Sequence, residues 1–137
     1  MVSSFKESLS QISYPLATVK RGKKALICSC FKLNLFTTMI NTSVDLKDIA
    51  LNRGLERNYT LKAITENKVE NQLMWLIKVG ILRREVDGQG ITDSFRLTPL
   101  GRSIINSWEQ ELGHIPTPTI CDRLGNFWNR IINWQLG

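Results

Sequence analysis

Residues 76–102 constrain this chain more than any other stretch, because each joint in them has a local physical cause. Leu76-Ile77-Lys78-Val79-Gly80-Ile81-Leu82 reads as a helix closed by Gly80, since glycine takes the left-handed conformation that ends a helix at low cost. Residues 81–86 and 91–97 are β-rich runs around Asp87-Gly88-Gln89-Gly90, a turn whose glycines accept positive φ. The alternation predicts a hairpin with Ile91, Phe95 and Leu97 facing inward and Thr92, Ser94 and Arg96 outward. Thr98 followed by Pro99 supplies an N-cap and a proline at the first helical position. The expected fold class is mainly α with a small β-hairpin.

Around this segment the apolar spacing predicts further helices. One begins near Ser43, with Asp45 and Asp48 in its first turns, Val44, Leu46, Ile49 and Ala50 as its apolar side, and Gly54 as its end. Val69, Leu73, Leu76 and Ile77 share one face at 3.6 residues per turn, but Ile64 lies off that stripe. The segment therefore divides into a short helix over 59–65, a turn at Glu66-Asn67 and a longer helix over 68–79. Leu100, Ile104, Ile105, Trp108 and Leu112 form the apolar side of another helix, ended by Gly113. A stiff Pro/Thr linker follows, and Thr119 caps a last amphipathic helix over 120–136 with a dense aromatic stripe. At the other end, Ser4 and Glu7 resemble a capping box ahead of Phe5, Leu9 and Ile12, and Pro15 stops that helix.

The steps "Leu-x-x-x-Gly-Ile-Leu" at 76–82 and "Leu-Thr-x-x-Gly-Arg" at 97–102 resemble those that enter and leave the wing of winged-helix proteins. Leu46-Lys47-Asp48-Ile49-Ala50 is similar to the "Leu-x-x-Ile-Ala" opening of a helix-turn-helix. Asp93 and Arg96 resemble the Asp/Arg pair in wings of antibiotic-resistance-type regulators. The resemblance implies a winged helix-turn-helix, with residues 68–79 as recognition helix, and a DNA-binding transcriptional regulator that acts as a homodimer.

Charge is unevenly spread. Of the formal +6, residues 1–38 hold six basic residues against Glu7 alone, or +5; the rest has 12 basic and 11 acidic residues, or +1. This break in texture predicts three parts. Residues 1–38 are a basic and apolar extension, disordered or not part of the mature protein, in which case Met39 is the start. Residues 39–112 are the winged-helix domain, and 113–137 are the linker and aromatic helix. Residues 15–24, with Lys20-Arg21-Gly22-Lys23-Lys24, read as a basic linker that lends nonspecific affinity for phosphates.

Asn67, Lys68, Asn71 and Gln72 fall on the solvent side of the presumed recognition helix; amides pair with adenine and lysine meets guanine or phosphate. Lys78, Arg83, Arg84 and Arg96 extend that DNA-binding set, the arginines through the backbone or a narrow minor groove. The alternative for Arg83 and Arg96 is ion pairing with Glu85 and Asp93 across the strands. Met74 and Trp75 fall opposite the apolar stripe, where two large apolar side chains need cover, either from their own chain or from a partner. With Trp108, Phe127, Trp128, Ile131 and Trp134 they form the expected interaction or dimerisation set. The neutral recognition helix, with Glu66 and Glu70 nearby, keeps open a second reading: a winged-helix protein-interaction module without sequence-specific DNA binding.

Other classes find little support. Cys28, Cys30 and Cys121 make neither a disulfide framework nor a zinc pattern, and fit a reducing cytoplasm. The lone His114, the absence of a phosphate-cradling glycine loop and the lack of a nucleophile–base pair argue against an enzyme, a cofactor and a metal. The apolar run at 25–40 is too short for a membrane helix. The polar side of the last helix offers only Arg123 and Arg130, with Asp122 offsetting one, so a membrane-surface role is not expected.

Overall fold

The computed structural model describes residues 14–116. The helices expected near Ser4 and over 120–136, with Phe127, Trp128, Ile131 and Trp134, lie outside the described residues. Within them the order is α1 (Leu16–Ile27), α2 (Leu33–Asn41), β1 (Val44–Asp45), α3 (Leu46–Ile49), α4 (Leu51–Glu56), α5 (Glu66–Lys78), β2 (Leu82–Asp87), β3 (Gly90–Leu97) and α6 (Pro99–Glu111). The fold is a helix-rich body with a small antiparallel sheet, ordered β1-β3-β2.

The hairpin forms where the sequence predicts it, and its joints are the expected ones. Gly80 has φ +88. Its N–H donates to Ile77 O (3.0 Å) and that of Ile81 to Leu76 O (2.9 Å), so two orphan carbonyls of α5 are satisfied by a Schellman closure. At the other end, the Thr98 hydroxyl accepts from the Gly101 N–H at 3.1 Å and donates to the Gly80 carbonyl, tying the start of α6 to the end of α5. Gly101 makes that junction close: a Cβ there would stand 2.4 Å from Ile81 O. β2 and β3 pair from Leu82↔Leu97 to Asp87↔Gly90, but Thr92, Asp93 and Ser94 stand opposite Glu85 alone. This bulge is bridged by the Thr92 hydroxyl, which donates to Glu85 O (2.8 Å) and accepts from Ser94 N (3.2 Å). It displaces the tip: Phe95 and Leu97 are buried as expected, but Ile91 is 73% exposed beside its cross-strand partner Val86 at 68%.

The expected division at residue 38/39 is not present. It falls inside α2, whose Leu35, Phe36 and Met39 are all buried, and Ala25, Leu26 and Phe31 belong to the same core as Val69, Leu76 and Ile105. Residues 15–24 are not a linker either. Pro15 precedes α1 and the basic cluster lies within it. Gly22 is what brings α1 in, because its Cα faces Ile81 and Ile104 at a distance that a Cβ would reduce to 2.8 Å from Ile81 Cδ1.

The middle of the chain also differs from expectation. Ser43 does not open a helix: Val44 and Asp45 pair with Phe95 and Ser94 as a third strand, too short for alternation to reveal. The next helix is broken at Ala50 (ψ 155), and Leu51 restarts it with φ +59 and an N–H bonded to Ile64 O at 2.7 Å. Gly54 does not end this helix but sits inside α4, where a Cβ would lie 1.8 Å from Ile49 O. Residues 59–65 are not helical. Phe31 bridges Thr60 and the Lys32 N–H bonds Tyr59 O, so a long-range pairing takes this segment's backbone. Thr65 then caps α5 by accepting from Lys68 N (3.4 Å), two residues earlier than the predicted start.

Candidate nucleic-acid interface

α5 presents a ridge of Asn67, Glu70, Asn71, Met74 and Lys78 on its outward side. The opposite side, Val69, Leu73 and Leu76, belongs to the core. The buried arc is wider than one stripe, because Trp75, about 100° round the helix from Leu76, is also interior. That geometry corrects the reading of Trp75, which is 1% exposed and fully interior. Met74 remains on the ridge at 37% exposure, partly covered by Arg84, whose Nη2 lies 3.4 Å from the Met74 Sδ. Both therefore find cover within their own chain. Trp108 is likewise buried in the core, so Trp75 and Trp108 offer no surface to a dimer mate.

The expected DNA-contacting residues divide into three places. Asn67, Asn71 and Lys78 lie together on the exposed ridge. Lys68, Asn71 and Gln72 line a groove of about 550 Å³, closed on the other side by Cys30 and residues 62–65. The arginines of the hairpin separate by strand alternation. Arg84 is on the face shared with Phe95, its guanidinium 5.2 Å from the ring centroid and against Met74, so it braces hairpin to ridge. Arg83 and Arg96, paired across the strands, point to the other face. There Arg96 bonds Glu85 (3.4 Å) and Asn41 O (3.3 Å), the cross-strand ion pair and not the Asp93 pairing of the regulator motif. Such a partly exposed pair contributes about 1 kcal/mol at most.

One residue of this region was not singled out from sequence, and one cluster that was has a different setting. Lys62, on the loop before α5, joins Lys68 at the groove. The cations of α1 stand on a helix rather than a tail: Lys20 and Lys23 are exposed and Lys24 half-buried on its outer side. Their signal was present as spacing, positions i, i+3 and i+4, within a run free of acidic residues from 8 to 44. Cys30 adds no anionic charge to the groove, because burial pushes its thiol up to about 11 from an ordinary 9.0. Cys30 is a free thiol. Among the described residues no group of three or more His, Cys, Asp or Glu is placed to hold a metal ion, and no helix is long and apolar enough to cross a membrane.

Comparison with curated proteins and with solved structures returns no match. A family profile described as Npun_F0494-like matches residues 12–130. That span takes in α1 and every later described element. By this match over most of its length, the chain belongs to the Npun_F0494-like family.

Proposed function

We propose that this chain is a DNA-binding transcriptional regulator of the winged-helix type, acting as a homodimer in the cytoplasm and carrying no catalytic function. The observation that carries the reading is the order helix, strand, helices, capped helix and hairpin, with the short β1 added to β3 and the α5 ridge beside the hairpin. On this reading α5 enters the major groove. Asn67 and Asn71 are its base-reading amides, and Lys78 closes the ridge with a cation. Arg84 holds the hairpin at a fixed angle to the ridge through Met74 and Phe95. Arg83 and Arg96, on the far face of the sheet, are left out of the contact surface. A second copy would place an equal ridge one helical turn of DNA away, about 34 Å on.

Gel-shift titration of genomic fragments at two salt concentrations tests this. The expected result is preference for a subset of fragments, lost on Asn71→Ala, with affinity falling as salt rises. No binding at low salt, or equal binding to every fragment, would refute it.

One observation favours a second reading, a protein-interaction module. The tip of the hairpin is apolar and acidic, with Val86 and Ile91 exposed between Asp87 and Asp93, and it has no cation to offer a phosphate. Val86→Ser with Ile91→Ser leaves DNA binding unchanged on the first reading, and abolishes partner capture on the second.

A further inference from the structure

The outward side of α1 is a strip of cations that, among the described residues, meets no ion-pair partner. Lys20, Lys23 and Lys24 recur at i, i+3 and i+4. Like charges at this spacing repel and cost the helix stability rather than adding to it. The inner side of the same helix is fixed by Gly22, Ala25 and Leu26, so the strip is held rigidly and does not trail.

Its placement relative to α5 follows from two contacts. Gly22 meets Ile81, just beyond the C-terminal end of α5, whereas Cys30, three residues past α1, lines the groove with Lys68 and Gln72 nearer the N-terminal end. The two helices therefore run antiparallel, and the end of α1 leads into Cys30 at the groove that holds Lys62 and Lys68. The groove has no acidic lining residue, and Cys30 stays neutral there.

We propose that the outer side of α1, with Lys62 and Lys68 at the adjoining groove, is a phosphate-binding track that grips the backbone of double-stranded DNA beside the α5 ridge. The proposal rests on the DNA reading above and assigns the sequence-independent part of the affinity to it. A duplex backbone fits because its charges are regularly spaced along a strip, as these cations are; contacts to phosphate set affinity and register and do not read sequence.

The test is a salt titration of binding to a preferred and an arbitrary duplex, comparing the full chain with the triple variant Lys20→Gln, Lys23→Gln, Lys24→Gln and with the double variant Lys62→Gln, Lys68→Gln. Each phosphate neutralised contributes about 0.9 to the slope of log affinity against log salt. The triple variant is expected to lower that slope by about two to three and the double by about two. Both lose affinity equally for the two duplexes, with melting temperature unchanged or raised. If the full chain binds with preference but the variants keep its slope, the track is refuted and the α5 reading stands. If the full chain binds no DNA, both fall. An affinity loss accompanied by a lowered melting temperature and an unchanged slope also overturns the track.

Discussion

Replacing Trp75 by alanine removes one of the largest fully buried side chains among the described residues, whereas Met74→Ala alters a side chain on the ridge. Trp75 is 1% exposed, so truncation leaves a cavity in the core, and such a change costs about 3–5 kcal/mol. A domain of this size has a total stability of about 5–15 kcal/mol, so the variant retains little margin. At roughly 4–6 °C per kcal/mol near 100 residues, the melting temperature falls by about 15–25 °C. Met74→Ala loses a partly exposed thioether and its contact with Arg84, and costs about 1 kcal/mol or less. Thermal and urea unfolding followed by far-ultraviolet circular dichroism measures both. A Trp75→Ala protein within 1 kcal/mol of the parent, or a costlier Met74→Ala, would show that the indole is not interior. So would a Trp75→Ala protein that keeps its fold but loses a binding partner.

Three further outcomes follow from the joints of the fold. Gly101→Ala places a Cβ 2.4 Å from Ile81 O and 2.8 Å from Leu97 Cδ2 and should cost about 3 kcal/mol or prevent folding, while Gly88→Ala, with nothing within 4 Å, should change the melting temperature little. Thr98→Ala removes the α6 cap and leaves the Gly80 carbonyl without its hydroxyl donor; a loss of about 1–2 kcal/mol in urea unfolding is expected, and Thr98→Ser should recover most of it. Cys30 favours its neutral form in the fold, so its contribution is fully present below about pH 9 and is lost as pH rises toward about 11. Stability of the parent should therefore fall more steeply than that of Cys30→Ser over this interval, and equal slopes would refute the assignment.

The hairpin and its two flanking helix ends were legible because their determinants are local. A glycine closes α5, a glycine turn joins β2 to β3, and Thr98-Pro99 opens α6; none depends on a distant partner. The ridge residues Asn67, Asn71 and Lys78 were legible from helical spacing for the same reason. What was misread depends on tertiary contact. Residues 15–24 look like a basic linker until Ile81 and Ile104 supply the surface that Gly22 packs on. Trp75 falls on the outer side of a one-stripe helix, yet tertiary packing leaves it 1% exposed. Residues 59–65 have helical spacing, but pairing with Phe31 and Lys32 holds their backbone extended. Arg83, Arg84 and Arg96 were grouped as one set, although strand alternation alone divides them between two faces.

The register slip at Glu85 coincides with the place where β1 stops: Phe95 has a partner on both sides, Val44 and Arg84, whereas Ser94 next to it pairs with Asp45 of β1 alone. Above it the ribbon has only two strands and two cross-strand pairs, Val86 with Ile91 and Asp87 with Gly90, with no third strand to stiffen it. The hairpin is thus a post set in a footing, with a separate upper length free to lean about one point. Amide protons of the lower length should exchange with the whole domain, and those of residues 86–91 on a faster, independent clock.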